Sequence, residues 1–182
     1  MNYEEEQDSV EIDAEELADR ALGIKLILSD VDGVLTDTGV YYGPDGEAFK
    51  RFSIRDGMGI ELLRDAGIET AFLTRENSPV VKARSEKLKL PYYFPGVVDK
   101  GAFLKTVLQQ TGLQIENLAY IGDDVNDLDI IRAIAKSGLT GSPGDAIISV
   151  MHEVHYVANV RGGNGAFRDF ADWILELRKL EE

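Results

Sequence analysis

With 182 residues, 44% of them hydrophobic and 29% charged, the chain has the composition of a soluble globule with one sizeable core. Cysteine is absent, which excludes disulfides and thiolate metal sites and suits a cytoplasmic protein. The formal net charge of −14 argues against a general nucleic-acid binder. Neither an apolar run of membrane-spanning length nor a basic-then-apolar leader is present, so no membrane partner is expected.

Residues 1–22 are polar and acidic, with Glu4, Glu5 and Glu6 in a row, and read as an acidic N-terminal extension. A short helix over residues 13–22 is expected there, frayed or loosely docked. Residues 23–182 read as one domain. It opens on a buried strand over residues 24–28, followed by the carboxylates Asp30 and Asp32 and then Gly33. Two segments rich in large rings, with Tyr41, Tyr42, Phe49 and Phe52, flank Gly43-Pro44-Asp45-Gly46, which signals a hairpin. So many rings predict a flap packed on the core or on another subunit. Asp56 is expected to cap the next helix, which ends near Gly67.

A strand over residues 69–73 ends in Thr74, and Ser78-Pro79 opens a basic helix. Further strands are expected at residues 92–94, 118–121, 138–140 and 155–157. The helices between them start near Lys100, after Asp123-Asp124, and near Gly144. Gly162, Gly163 and Gly165 form a flexible turn before a last amphipathic helix, with Trp173 in its core face. Strands thus alternate with helices apart from the hairpin. The expected class is α/β: a Rossmann-like, mainly parallel sheet with helices on both faces, a β-hairpin flap and no cap domain.

In a parallel sheet every carboxyl end lies on one edge, so Asp30, Asp32, Thr74, Asp123 and Asp124 converge, with Lys100 in reach. Like charges at ~4 Å repel by roughly 4 kcal/mol at an effective dielectric near 20. A divalent cation together with Lys100 would bring Asp30, Asp32 and Asp123 close to neutrality. Oxygen donors without His or Cys favour Mg²⁺. Such a site, beside a hydroxyl and a lysine, suits phosphoryl chemistry.

DVDGVLTD, the strand-end Thr74, Lys100 and GDDVND resemble, in order, the four motifs of the haloacid dehalogenase-like phosphatases. The resemblance implies Asp30 as nucleophile and Asp32 as general acid and then base, with Thr74 and Lys100 holding phosphoryl oxygens. It further implies Mg²⁺ between Asp30, the carbonyl of Asp32 and Asp123, with Asp124 and Asp127 in support. The aromatic hairpin, FSIRDGMGI and RGGNGAFRDF are similar to the 3-deoxy-D-manno-octulosonate 8-phosphate phosphatase family, and the resemblance covers residues 24–178. Relatives in that family act on the 9-phosphate of a nine-carbon, sialic-type acid. The family resemblance implies a homotetramer in which hairpins associate and neighbours complete each active site. It also implies substrate contacts at Gly33, Arg55, Asp56, Gly57, Glu76, Arg84 and Lys87. Glu76 and Lys87 resemble the nine-carbon branch, whereas Arg55-Asp56-Gly57 and Arg84 resemble the eight-carbon one. The expected substrate is the eight-carbon sugar acid phosphate, with the nine-carbon one as alternative. A receiver module is disfavoured because Lys100 precedes GDDVND. A regulatory or assembly partner of a sugar-activating enzyme is the other rival.

Overall fold

The computed structural model describes residues 12–180, so the run of glutamates at residues 4–6 lies outside the described residues. The first helix, α1 (Ala14–Gly23), is capped by Asp13, whose carboxylate accepts from the Glu16 amide at 2.8 Å. It is docked rather than frayed, which corrects the expectation for residues 13–22. Ala18 and Ala21 are buried, and Arg20 donates to the carbonyls of Ala135 and Gly138 at 2.8 and 3.1 Å. Small residues on one face and an arginine reaching three backbone carbonyls, Lys136 O at 3.2 Å being the third, explain the docking.

After β1 (Leu26–Ser29) come the hairpin strands β2 (Tyr41–Gly43) and β3 (Gly46–Phe49). Then follow α2 (Ile54–Asp65), β4 (Glu69–Leu73), α3 (Pro79–Lys87), β5 (Tyr92–Phe94) and α4 (Lys100–Thr111). The second half holds β6 (Leu118–Ile121), a 3-10 turn at Val125–Asp127, α5 (Leu128–Ala135), β7 (Leu139–Ser142), α6 (Ile148–Met151), β8 (Tyr156–Val157) and α7 (Ala166–Lys179). The helix expected near Gly144 is thus one turn beginning at Ile148, and β7 lies later than residues 138–140. Gly138 leaves no room for a side chain, because a Cβ there would lie 2.2 Å from the Leu118 carbonyl.

The six-stranded sheet has the order β5-β4-β1-β6-β7-β8, and every pairing is parallel. The chain winds outward from β1 through β4 and β5, then returns to β6 on the other side of β1. That reversal opens a crevice at the carboxyl ends of β1, β4 and β6. Alternate residues divide the core into two layers. Ile27, Phe72, Ala119 and Ile121 pack with Ile60 of α2 and Phe167 and Phe170 of α7. Leu28, Leu73, Leu118 and Tyr120 face Leu104 and Val107 of α4 and Ile130 and Ile134 of α5. Helices therefore cover both faces, as expected for strands buried on both sides.

Two local expectations change. Ser53, not Asp56, caps α2, with its hydroxyl accepting from the Arg55 amide at 3.1 Å. Asp56 instead turns inward and accepts from the Arg168 amide at 3.0 Å, capping α7, whose own cap position Gly165 has no side chain to offer. The glycines before α7 are packed rather than free. The Gly163 amide donates to Val34 O at 2.9 Å, and a Cβ on Gly162 would sit 1.8 Å from Gly33 O. Of the four rings, Phe52 packs against the protomer's core, whereas Tyr41, Tyr42 and Phe49 do not and are 62%, 77% and 70% exposed.

Candidate active site

Asp30 is the first residue beyond β1, and the sheet ladder still holds its backbone: its amide donates to Ile121 O at 3.0 Å. One carboxylate oxygen accepts from the Val31 amide at 2.7 Å, and the other lies 2.8 Å from Lys100 Nζ. The amides of Leu35 and Thr36 then both donate to Val31 O, closing a tight turn that presents Asp32 to the crevice. Gly33 has φ of +92°, and a Cβ there would lie 1.9 Å from Asp123 Oδ2. Both the left-handed backbone and the close approach of Asp123 require glycine.

Asp123 follows β6 directly, on the neighbouring strand end. Behind it, the fully buried Asp127 takes four donors. Its Oδ1 accepts from Lys100 Nζ and Tyr120 OH, both at 2.6 Å, and its Oδ2 from the amides of Asp123 and Asp124 at 2.9 and 3.3 Å. A carboxylate so engaged is a brace, aiming Lys100 and the Asp123 loop. Lys100 is only 1% exposed and bridges Asp30 and Asp127. Burial pushes its ammonium down, but the two carboxylates outweigh burial and hold it above its ordinary range.

Burial, then Asp127, push Asp30 up to about 7 against the pull of Lys100. Burial, then Asp30, Asp127 and Asp124, push Asp123 up to about 8. One lysine therefore does not neutralise the cluster. Carboxylate oxygens of Asp30, Asp123 and Asp127 lie within 4.8 Å of one another, in an all-oxygen donor set. Since Asp127 is committed to its four donors, Asp30 and Asp123 are the residues suited to hold a hard divalent cation, and Gly33 clears backbone room beside them.

The crevice encloses about 270 Å³. Asp30, Asp32, Asp123 and the exposed Asp124 line it on the acidic side. Thr74, Arg75 and Glu76 from the end of β4 line it opposite. Thr74 is buried, and its Oγ1 accepts from the Glu76 amide at 3.2 Å. A larger groove of about 470 Å³ between α2 and α7 is lined by Asp65, Asp172, Glu176, Arg178, Lys179 and apolar neighbours, without the clustered buried carboxylates of the crevice.

The remaining candidates are not brought to the crevice within the protomer. Arg84 donates to Ser53 O at 3.1 Å and stacks over Phe52 at 5.5 Å. Gly57 makes room for it, since a Cβ there would lie 3.0 Å from the Arg84 guanidinium. Asp56 is spent on α7, Arg55 is exposed beside Gly165, and Lys87 is exposed near the end of α3. Conversely, sequence reasoning missed Lys50 and Tyr120. Lys50, whose side chain is 1% exposed, reaches Asp32 Oδ1 at 2.6 Å and Glu47 Oε2 at 3.3 Å. No sequence signal distinguishes it from an ordinary hairpin lysine. Tyr120, inside a buried strand seven residues before Asp127, needed a hydroxyl partner, and that need was a usable signal.

No protein-family model matches the chain. The 3-deoxy-D-manno-octulosonate 8-phosphate phosphatase of Haemophilus influenzae is 41% identical over 153 residues, covering 84% of this chain and 83% of that protein. Its solved cobalt-bound structure superposes with a TM-score of 0.82 at 39% identity, over 88% of this chain and 92% of that one. The Moraxella catarrhalis phosphatase of the same name, solved with magnesium, phosphate and 3-deoxy-D-manno-octulosonate, gives 0.83 at 32% identity, over 90% and 92%. Fold, strand-end site and these likenesses agree: the chain belongs to the 3-deoxy-D-manno-octulosonate 8-phosphate phosphatase family of haloacid dehalogenase-like phosphatases.

Proposed function

We propose that the protein hydrolyses the phosphate monoester of a 2-keto-3-deoxy sugar acid, 3-deoxy-D-manno-octulosonate 8-phosphate, through an aspartyl-phosphate on Asp30. The observation that carries this is the convergence of Asp30, Asp32, Asp123, Thr74 and Lys100 on one sheet edge. Asp30, Asp123 and the Asp32 carbonyl would hold Mg²⁺, which when bound would supply positive charge to the phosphoryl group. The Asp30 oxygen attacks phosphorus as the ester P–O bond breaks, and Asp32 gives its proton to the departing sugar oxygen. A water then attacks the phosphorus of the aspartyl-phosphate and passes a proton to Asp32. The Asp30–phosphate bond breaks, and inorganic phosphate leaves. Lys100 and the Thr74 hydroxyl hold the phosphoryl oxygens, while Asp127 fixes Lys100 and Asp124 caps the turn before α5 through the Val125 amide at 2.7 Å.

The eight-carbon substrate is favoured over the nine-carbon one because the relatives named above carry it in their names. The exposed rings of β2 and β3 support a homotetramer in which hairpins associate. In that assembly Arg55, Arg84 and Lys87 would serve a neighbour's crevice. We further take the cysteine-free chain as cytoplasmic; no helix among the described residues is long and apolar enough to cross a membrane. We count residues 23–182 as the phosphatase domain, with α1 packed against it. The test is Mg²⁺-dependent phosphate release, with kcat/KM compared for the 8- and 9-phosphates in wild type and Glu76→Arg. A preference for the 9-phosphate would overturn the substrate. An unchanged ratio in the variant would remove Glu76 from selection.

A further inference from the structure

We infer that Lys50 is the positioning residue for the proton-transferring Asp32, tying the hairpin to the chemistry; this rests on the phosphatase reading above. The observation is a chain of contacts crossing from the flap to the helix layer. Lys50 follows β3 directly, beside the exposed Phe49, yet its side chain is 1% exposed. A lysine there would ordinarily extend its ammonium into water. Here Nζ is held between Asp32 Oδ1 at 2.6 Å and Glu47 Oε2 at 3.3 Å. The other Glu47 oxygen accepts from the Ser78 hydroxyl, and Ser78 is the cap of α3, accepting from the Val81 amide at 3.3 Å.

Each link limits the next. Ser78 is anchored by its helix, so it fixes Glu47. Glu47 and Asp32 together hold Lys50, and Lys50 occupies one of the two Asp32 oxygens. The remaining oxygen, Oδ2, is the one left to carry the proton. Asp32 keeps a 30% exposed side chain at the end of a turn, and the described contacts give it no other charged partner. Without Lys50 its carboxyl would be free to rotate, and the proton would no longer be presented in one direction. Misplacing a catalytic group by ~1 Å costs on the order of 10²-fold. Lys50 touches no reacting atom in this arrangement and acts through Asp32 alone.

This role has a signature that general loosening of the fold lacks. A sugar alkoxide is a strong base and leaves only with a proton, whereas 4-nitrophenolate leaves without one. Disturbing the proton donor therefore harms the first substrate more than the second. The parameter to compare is kcat/KM, which stops at leaving-group departure and is blind to hydrolysis of the aspartyl-phosphate. For Lys50→Met with saturating Mg²⁺, the loss on 3-deoxy-D-manno-octulosonate 8-phosphate should exceed that on 4-nitrophenyl phosphate at least about tenfold. Glu47→Gln, which leaves Lys50 in place, should show the same selectivity more weakly and covers the case in which Lys50→Met does not fold. Equal losses on both substrates, or none on either, would overturn the inference while leaving the phosphatase reading intact. A wild-type protein inactive on both would overturn the two together.

Discussion

Asp30 and Asp32 are one residue apart, and each has a buried lysine, but the two lysines belong to different regions. Lys100 is the first residue of α4, inside the sheet-and-helix body, and bridges Asp30 and Asp127 with side chains 7% and 0% exposed. Lys50 comes from the rim of a hairpin whose rings are mostly in water, and its partner Asp32 is 30% exposed. Asp30, the proposed nucleophile, is thus held inside the buried body by Lys100 and the Val31 amide. Asp32, the proposed proton-transfer group, is held by an element that is itself secured by Glu47 and Ser78. The difference matches the two tasks. An attacking oxygen needs one fixed line to phosphorus, whereas a proton donor must face substrate and then water.

The largest expected effect tests the first half of that contrast. Asp30→Asn should lower Mg²⁺-dependent phosphate release by at least about 10³-fold. Retained turnover in a single-turnover assay would mean that Asp30 is not the nucleophile and that Lys100 guards a structural carboxylate.

Stability should separate the two lysines as well. Lys100→Met leaves Asp30 and Asp127 buried without their cation, a loss of about 3–5 kcal/mol in urea unfolding. Added Mg²⁺ should recover part of it by supplying positive charge at Asp30. Lys50→Met should cost less, about 1 kcal/mol, because water can solvate Asp32 and Glu47 in its place. Equal losses would show that the hairpin lysine is as structural as the other.

The hairpin's exposed face offers a third test. Light scattering of the wild type at micromolar concentration should give a tetramer, and Tyr42→Ser with Phe49→Ser should give smaller particles with unchanged far-UV circular dichroism. A wild-type monomer would leave Arg55, Arg84 and Lys87 with no crevice to serve.

The two regions also differ in how far they could be read from the chain. The strand ends were legible because buried runs such as residues 69–73 and 118–121 stop at polar residues, and a parallel sheet brings those stops together. Lys100 was legible for the same reason, since it opens a helix at that edge. The hairpin inverts the usual rule of apolar in and charged out: Phe49 points to solvent and Lys50 inward. Pattern alone carries no sign of that inversion, because the charges that make it stable, Asp32 and Glu47, are set by tertiary contact. Asp56 failed differently. Ser53 and Asp56 are both good caps three residues apart, and only the approach of α7 decides that Asp56 serves another helix.

Asp56 supplies a contrast with both lysine-held carboxylates, since no ion-pair contact among the described residues holds it. Burial pushes its carboxyl up to about 6 from an ordinary 3.8, against the Arg168 amide it accepts from and the more distant Arg84 charge. Its second oxygen is buried without a hydrogen-bond partner. Between about pH 4 and pH 6 the folded protein therefore binds a proton that the unfolded chain has released. Its contribution is fully present below the unfolded value and is lost as pH rises through about 6, by at most about 3 kcal/mol. Asp56→Asn keeps an acceptor for the Arg168 amide and removes the titration. In urea unfolding the variant should match wild type near pH 4 and exceed it above pH 6.5. A constant difference across that range would mean that Asp56 stays ionised in the fold, with the half-buried Arg84 as a closer partner to it than the hydrogen bonds show.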